Sequence, residues 1–325
     1  NLSFQKKNDN FLIPFRGPIN KKTLSCNEEG ERKIVNNDKN GFKNPNKIYN
    51  KKIEIFLIGD SFAEGMCQDE NNDSAGILRN KYEINSANFG VAGAGPLTSL
   101  AILKEYGLYY KPKTIFYFYY DRNDMKDLKL EKESFLINYL GEFNQNLVNR
   151  NREIKDFLNE YENLVYEHIN KKNIKNIKNK KNSKEFKKTA SKKNYTQILK
   201  DFFELRELKN IIFVKSAFGE DNSIDEDLFT KVLKEMQSET EKWNGKLIFV
   251  YLPDWSRFYH KYSLANYQHK KNIEKIVKSL DISYLDIVNE FKKEKDPIKL
   301  FPFSLYGHYT KKGYKILSKS LFDML

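Results

Sequence analysis

A serine follows directly after a short apolar stretch, in the block Ile58–Phe62 (IGDSF). The stretch Lys52–Gly59 predicts a buried parallel strand that ends just before this serine. Ligand sites in open parallel sheets lie at the carboxyl ends of the strands. The Ser61 hydroxyl would act there as a nucleophile if a base and donors for an oxyanion surround it. The alternative is that Ser61 only caps the first helix.

Three later blocks hold groups that would complete such a site. A glycine-rich loop, Asn88–Pro96, exposes backbone amides, but it lacks the Gly-Lys-Ser/Thr of a phosphate-binding loop. Asn123 follows an aromatic strand and offers a side-chain amide, or it is an ordinary turn residue. His308 precedes the last helix and is either a general base or a lone surface histidine.

The elements that would position these residues alternate along the chain. Apolar and β-branched runs predict strands over Lys52–Gly59, Ile84–Asn88, Thr114–Tyr120, Lys246–Leu252 and Ile282–Ile287. Amphipathic patterns predict helices over Pro96–Tyr109, Glu142–Asn170, Asp225–Trp243, Asn266–Leu280 and Thr310–Leu325. This alternation predicts an α/β fold, a three-layer sandwich around a mostly parallel five-stranded sheet.

Composition divides the chain into three parts. Residues 1–50 are polar and aperiodic, and we expect an irregular lead-in that packs on the domain. Residues 51–130 and 211–325 carry the strands and form the main domain. Residues 131–210 contain no predicted strand and form a helical, lysine-rich insertion.

The four blocks together resemble a known family. Their order along the chain, strand-GDS, Asn-xx-Gly-xx-Gly, xx-Asn-Asp and a late His, resembles that of the SGNH hydrolases, also called GDSL esterases. The blocks Ile58–Gly65, Asn88–Leu97 and His308–Gly313 look most like the larger bacterial members, which include polysaccharide O-acetyltransferases and esterases. The resemblance implies a sheet of flavodoxin-like order, the predicted α/β sandwich and no cofactor.

The resemblance also implies a role for each residue. Ser61 would attack an ester carbonyl, and His308 would take the serine proton and return it to the leaving alcohol. The Ser61 and Gly93 amides and the Asn123 side chain would stabilise the oxyanion. The implied activity is hydrolysis or transfer of O-acyl groups, above all O-acetyl groups, of a carbohydrate.

The sequence departs from the family pattern at two positions. The family places an aspartate two or three residues before the histidine, but Leu305 and Tyr306 stand there and the nearest upstream acid is Asp296. The carboxylate that orients His308 is therefore absent, supplied from elsewhere in the chain with Asp296 as the candidate, or replaced by a backbone carbonyl at Nδ1. The sequence predicts a Ser–His dyad with weakened activity, or a degenerate protein that only binds carbohydrate or acts as a scaffold. Asp121 replaces a glycine, and we expect it to point away from the oxyanion or to pair with Arg122.

Charge is concentrated in one segment. The net charge is +13, and Lys171–Lys193 alone contains eleven lysines and one glutamate. The segment is either a solvated helix and loop or a surface for an anionic polymer or membrane headgroups. We predict no sequence-specific nucleic-acid partner, because the rest of the chain is nearly neutral and this segment lacks interleaved aromatics.

Two cysteines and four histidines limit the metal chemistry. The four histidines (His168, His260, His269 and His308) show no metal-ligand spacing, so no metal is predicted. Cys26 and Cys67 are either free thiols or a disulfide that joins the lead-in to the domain and contributes about 3–4 kcal/mol. A disulfide and a first residue other than Met favour an extracytoplasmic location, periplasmic or secreted, with an anchor or signal segment removed.

Overall fold

The computed structural model describes residues 12–160, 163, 167, 225–259 and 268–325. The chain divides into two compact units, residues 1–155 with 225–325 and residues 156–224. Most of the second unit, including the lysine-rich segment Lys171–Lys193, lies outside the described residues, as do His168 and His260. The boundaries predicted for the insertion therefore stay a prediction.

The first unit is built on a parallel sheet. A small antiparallel ribbon, β1 (Lys22–Leu24) and β2 (Ile34–Asn36), precedes it. The sheet has the order β4-β3-β5-β6-β7, and every neighbouring pair is parallel. Its strands are β3 (Ile55–Ile58), β4 (Ser86–Asn88), β5 (Thr114–Tyr120), β6 (Lys246–Leu252) and β7 (Ser283–Asp286). The predicted five-stranded α/β fold is confirmed.

Helices cover both faces of the sheet. They are α1 (Ser61–Glu64), α2 (Ser74–Lys81), α3 (Pro96–Ile102), α4 (Asp124–Glu131), α5 (Glu226–Glu241), α6 (Gln268–Ser279), α7 (Ile287–Phe291) and α8 (Lys311–Phe322). A π-helical turn, Leu103–Gly107, and a last helical turn, Leu108–Tyr110, extend α3. Short 3₁₀ turns span Asn46–Asn50, Phe135–Leu140, Trp255–Phe258, Pro297–Leu300 and Pro302–Ser304. No helix among the described residues is long and apolar enough to span a bilayer.

Alternate side chains of the central strand β5 point into the helical layers on opposite faces of the sheet. Phe116, Phe118 and Tyr120 of β5 join the core that α1, α2, α7 and α8 cover. Tyr119 faces the opposite layer and packs on Phe229 of α5, with ring centroids 5.6 Å apart. A strand must read as a continuous apolar run when both of its faces are buried, which is why Thr114–Tyr120 is recognisable in the sequence.

The helix predicted over Glu142–Asn170 is wrong at its start. Residues 141–150 form turns, and residues 151–160 are helical. The buried Glu105 carboxylate accepts hydrogen bonds from the backbone amides of Gln145 (2.5 Å) and Leu147 (2.8 Å). Amides held by a distant carboxylate are unavailable to a helical ladder, so a long-range contact overrides the local pattern here.

Buried polar contacts fasten the lead-in beside the first helix. Lys43 donates to the backbone carbonyls of Gly65 (2.7 Å) and Gln68 (2.7 Å) and pairs with Asp73 at 3.2 Å. Its side chain is only 2% exposed. An ammonium at that depth must be fully paired, so this part of the lead-in is fixed against the loop that follows α1.

Candidate active site

Ser61 lies where β3 ends and α1 begins. The Asp60 side chain accepts a hydrogen bond from the Phe62 amide (2.9 Å) and caps the helix. Gly59 has a φ of +141°, and a Cβ there would lie 2.7 Å from the Phe118 carbonyl oxygen. The tight turn therefore requires glycine. Since Ser61 is the first residue of α1, its amide has no acceptor within the helix and is available for a ligand.

His308 is held by a loop that is anchored on both sides. Next to it, Tyr309 is buried, donates its hydroxyl to the Pro253 carbonyl (2.9 Å) and accepts from the Gln68 side chain at its own carbonyl (3.1 Å). The His308 ring packs on Phe62, with ring centroids 4.7 Å apart. These contacts fix the imidazole over the carboxyl edge of the sheet.

The structure brings three side chains into one hydrogen-bonded chain. His308 Nε2 lies 2.8 Å from Ser61 Oγ, and His308 Nδ1 lies 2.8 Å from Glu28 Oε1. The second Glu28 oxygen accepts from the His308 backbone amide at 2.7 Å. Because a carboxylate only accepts, Nδ1 carries the proton toward Glu28 and Nε2 is free to accept from the serine hydroxyl.

The pKa of Glu28 agrees with an ionised partner. Burial alone would raise the pKa of this carboxyl, but the hydrogen bonds and charge of His308 outweigh burial and bring it below its usual value. An ionised carboxylate at Nδ1 is the group that stabilises an imidazolium as it forms.

The orienting acid predicted from the sequence is wrong. Asp296 lies outside this arrangement and pairs with Lys299 at 3.2 Å, with its side chain 46% exposed. Glu28 supplies the carboxylate instead, from 280 positions away in the chain. The sequence feature that could have identified Glu28 is its position two residues after Cys26, because a Cys26–Cys67 bond places that segment near the residues after Ser61.

A disulfide holds the segment that carries Glu28. The structure joins Cys26 to Cys67, with their Cα atoms 5.1 Å apart. The Cys67 amide also donates to Ser25 Oγ at 3.5 Å. Cys67 follows α1 by three residues, so the bond ties Glu28 and Ser61 to one small region.

A cleft of about 170 Å³ opens beside the serine. Its lining consists of Asp60, Ser61, Phe62, Tyr120, Arg122, Asn123, Tyr306, Gly307 and His308. Arg122 pairs with Asp254 at 3.4 Å and lies 4.5 Å from the centre of the Tyr306 ring. The cleft therefore combines an aromatic wall, a cation and the serine–histidine pair.

Two of the three predicted oxyanion groups line this cleft. These two groups belong to Ser61 and Asn123. The side-chain amide of Asn123 donates one hydrogen to Asp127 Oδ2 (2.7 Å), which leaves its second N–H for a ligand. Gly93 is exposed, has a φ of +79° and is not among the described residues that line the cleft. Its role as a donor remains a prediction.

Two carboxylates fix the glycine-rich loop in place. Glu64 of α1 accepts from the Ala92 amide (2.9 Å). Glu131 of α4 accepts from the amides of Gly95 (2.8 Å) and Leu97 (2.8 Å) at the start of α3. Burial raises the pKa of Glu131 to about 7 against these hydrogen bonds. The loop is thereby tied to both helices that border the cleft.

Asp121 takes the first of its two expected arrangements and is not among the described residues that line the cleft. It points away from the cleft but pairs with Arg257 and accepts from the Asp254 amide (3.0 Å), whereas Arg122 pairs with Asp254. Burial raises the pKa of Asp121 to about 6, although Arg257 opposes this shift. Arg257 follows β6, the strand next to β5, so its guanidinium reaches Asp121 behind the cleft.

Two further carboxyls lie beneath the serine. Burial raises the pKa of Asp60 to about 7, partly offset by the hydrogen bond from Phe62. Burial and the neighbouring Asp60 charge raise the pKa of Asp124 well above its usual value. Like charges at such depth disfavour double ionisation, so this pair retains a proton near neutral pH.

One group of side chains among the described residues could hold a metal ion. It consists of Glu28, Cys67 and His308. In this oxidised form the Cys67 sulfur is bonded to Cys26 and supplies no thiolate.

Comparisons with known proteins find distant structural similarity only. No family model matches the chain, and no curated protein matches it. A protein from Desulfitobacterium hafniense ascribed to the lipolytic G-D-S-L family is 13% identical, with 84% of this chain and 99% of that chain covered and a TM-score of 0.46.

Two other solved structures have similar values. A member of the lipolytic G-D-S-L family from Veillonella parvula is 11% identical over 84% of this chain and 97% of that chain, with a TM-score of 0.41. A catalytic mutant of an acetylxylan esterase from Geobacillus stearothermophilus is 12% identical over 84% and 95%, with a TM-score of 0.40. At these identities and TM-scores the structural similarity assigns no activity to this chain.

Proposed function

We propose that this protein is a serine-dependent esterase or acyltransferase that acts on O-acyl groups, above all O-acetyl groups, of a carbohydrate. The observation that carries the proposal is the chain of hydrogen bonds from Glu28 through His308 to Ser61, with both side-chain distances at 2.8 Å. Serine, histidine and a carboxylate in this order form an activated nucleophile on many unrelated folds.

The first half-reaction forms an acyl-enzyme. Ser61 Oγ attacks the ester carbonyl carbon while its proton passes to His308 Nε2, and Glu28 stabilises the imidazolium. The Ser61 amide and the Asn123 side chain donate to the carbonyl oxygen as it gains negative charge. The tetrahedral intermediate collapses, the carbon–oxygen bond to the alcohol breaks, and the alcohol leaves with the proton from His308.

The second half-reaction decides between hydrolysis and transfer. His308 Nε2 takes a proton from water or from a sugar hydroxyl, whose oxygen attacks the acyl carbon. The bond from that carbon to Ser61 Oγ then breaks, and His308 returns the proton to Ser61 Oγ. Water gives the free acid, and a sugar hydroxyl gives a new ester. Both routes use the same residues, so the acceptor that enters the cleft determines the outcome.

The cleft supports a short acyl group and a sugar. Its volume of about 170 Å³ suits an acetyl group better than a long acyl chain. Tyr306 lines the cleft and is 55% exposed, and Phe303 and Leu305, which precede it in the chain, are 73% and 59% exposed. Exposed aromatic faces next to polar donors are suited to the apolar faces and hydroxyls of sugar rings.

The alternative of a degenerate binding protein rested on the missing carboxylate. Glu28 occupies the position at Nδ1 that this carboxylate would take. A protein that had lost catalysis would be under no need to keep a carboxylate there, so this observation favours the enzyme.

Turnover of p-nitrophenyl acetate tests the proposal. We expect a burst or steady release of p-nitrophenol that disappears in Ser61→Ala. Ser279→Ala, a serine on α6 outside the cleft lining, is the matched control and should keep full activity. Equal activity in Ser61→Ala and in the parent would refute the proposal.

The location and the lysine-rich segment are separate proposals. We propose an extracytoplasmic location, which the disulfide supports because such bonds persist in oxidising compartments. Cell fractionation of the native protein tests it, and recovery in the cytoplasm would contradict it.

We also propose that Lys171–Lys193 binds an anionic polymer or membrane surface. If binding and its salt dependence are unchanged after this segment is deleted, the proposal is refuted.

A further inference from the structure

Three potential metal donors lie close together beside the imidazole. A Glu28 oxygen, the Cys67 sulfur and a His308 ring nitrogen all lie within 4.8 Å of one another. The Cys26 sulfur is bonded to that of Cys67 and so lies beside it. Thiolate, imidazole and carboxylate are the three ligand types that Zn²⁺ takes in proteins.

The disulfide keeps this site closed. Reduction by a dithiol transfers two electrons and two protons to the Cys26–Cys67 bond, yields two thiols and turns the reductant into a disulfide. The two Cα atoms lie 5.1 Å apart, so the freed Cys26 sulfur remains beside that of Cys67. The Cys67 sulfur lies within 4.8 Å of the Glu28 and His308 donors. Zn²⁺ then displaces a proton from each thiol and from Nδ1.

We propose that the dithiol form of this protein binds one Zn²⁺ through Cys26, Cys67, His308 Nδ1 and Glu28. Tetrahedral coordination needs donors at about 2.0–2.3 Å from the ion. Such bonds place neighbouring donors about 3.3–3.8 Å apart, and the Glu28, Cys67 and His308 donor atoms lie at most 4.8 Å apart, so each needs to move by about 1 Å. Cys26 completes the set once its bond to Cys67 is broken.

The ion can reach this site from solvent. Cys67 is buried, but the side chains of Glu28 and His308 are 27% and 15% exposed, and Cys26 is half-buried. The ion also offsets the negative charge that two thiolates and a carboxylate would otherwise place together.

Metal binding and ester hydrolysis would exclude each other. Both use Glu28 and His308, and an ion on Nδ1 leaves the ring proton on Nε2, where it faces Ser61. His308 then has no site to accept the serine proton. This consequence rests on the proposed function, whereas the metal site itself rests only on the donor geometry.

Zinc binding to the Ser61→Ala chain tests the site apart from catalysis. The chain is reduced with dithiothreitol, freed of reductant under argon, and titrated with ZnCl₂ against the chromophoric chelator 4-(2-pyridylazo)resorcinol. We expect one Zn²⁺ per reduced chain and none per oxidised chain. Equal zinc binding by the two forms would overturn the proposal.

Variants on the same background identify the ligands. Cys67→Ser and His308→Ala should each weaken zinc binding about tenfold or more. His269→Ala is the matched control and should bind like its parent. Far-UV circular dichroism of each reduced variant checks that it is folded, and Glu28→Gln supplies a ligand variant that keeps the disulfide cysteines. If Cys67→Ser and Glu28→Gln both bind zinc as tightly as their parent chain, the proposal is also overturned.

Activity measurements separate this proposal from the proposed function. In the parent chain, zinc should lower p-nitrophenyl acetate turnover about tenfold or more after reduction and leave the oxidised form unchanged. A chain that never turns over the ester, yet binds zinc when reduced, would refute the proposed function and keep the metal site.

Discussion

Glu28 illustrates what the proposed mechanism demands of a single residue. A carboxylate is useful to His308 only if it reaches Nδ1, and Glu28 does so at 2.8 Å although it comes from the opposite end of the chain. Asp296 is much nearer in sequence but pairs with Lys299. The carboxylate beside Nδ1 is therefore determined by its position in the fold and not by its distance from His308 along the chain.

Replacing the carboxylate by an amide should remove most of the activity. In Glu28→Gln the side chain no longer stabilises the imidazolium and can present an N–H to Nδ1, which favours the wrong tautomer. We expect kcat to fall about 10²–10⁴-fold. Steady-state kinetics with p-nitrophenyl acetate measures this. Glu29→Gln and Asp296→Asn are the controls, and a larger loss in Asp296→Asn than in Glu28→Gln would contradict the assignment.

The Asn123 side chain should act on the transition state. Loss of one oxyanion donor typically costs about 10²–10³ in rate. We therefore expect Asn123→Ala to lower kcat by that factor with little change in KM, because the donor bonds strongly only to the developing oxyanion. Single-turnover kinetics separates the acylation step. A rise in KM with unchanged kcat would instead assign Asn123 to substrate binding.

At the scale of elements, the β3–α1 turn and the disulfide act together. The turn presents Ser61, and the Cys26–Cys67 bond holds the lead-in segment that presents Glu28 beside it. The ribbon β1–β2 borders that segment on both sides, so Glu28 lies on a connection that is anchored at its ends.

Removing the disulfide should lower the stability of the fold. The bond closes a loop of 41 residues, for which the loss of chain entropy in the unfolded state gives about 3–4 kcal/mol. We expect the Cys26→Ser/Cys67→Ser double variant to lose that amount of unfolding free energy in urea titrations. An unchanged midpoint would mean that the bond does not constrain the unfolded chain.

Local signals predict most elements, but not those set by distant contacts. The strands Thr114–Tyr120 and Lys246–Leu252 match their predicted bounds because both faces are buried and the sequence is continuously apolar. The start predicted for the helix at Glu142 fails because Glu105 captures the amides there. A hydrogen bond to a residue this distant in sequence does not change the local hydrophobic periodicity.

The same reasoning explains the candidate site. Ser61 and His308 follow or precede regular elements, so their meeting at the carboxyl edge could be predicted from topology. Glu28 could not, because the lead-in has no periodicity and its position depends on one cysteine pair. The Lys171–Lys193 segment lies outside the described residues, so its prediction is unchanged.

At the scale of the whole molecule, buried carboxyls make stability depend on pH. Burial raises the pKa of Asp60 and of Glu131 to about 7. Between the unfolded value near 4 and the folded value near 7, the native state binds more protons than the unfolded state. The free energy of unfolding should therefore fall as pH rises through this range and level off above about pH 7.

Asp60→Asn should weaken this pH dependence. Asparagine can still accept from the Phe62 amide and cap α1, but it cannot ionise. We expect the loss of unfolding free energy between pH 5 and pH 8 to shrink by about 1–3 kcal/mol. Urea unfolding at both pH values measures this, with Asp323→Asn at the end of α8 as an exposed control. An identical pH dependence in Asp60→Asn and the parent would contradict the assignment.

The central claim is that Glu28 and His308 turn Ser61 into a nucleophile. Labelling with a fluorophosphonate, followed by intact-mass and peptide analysis, tests it without knowledge of the natural substrate. We predict one phosphonyl adduct on Ser61 in the parent chain, much slower labelling in Glu28→Gln, and none in Ser61→Ala. A parent chain that stays unlabelled, or an adduct on another residue that persists in Ser61→Ala, would contradict the account.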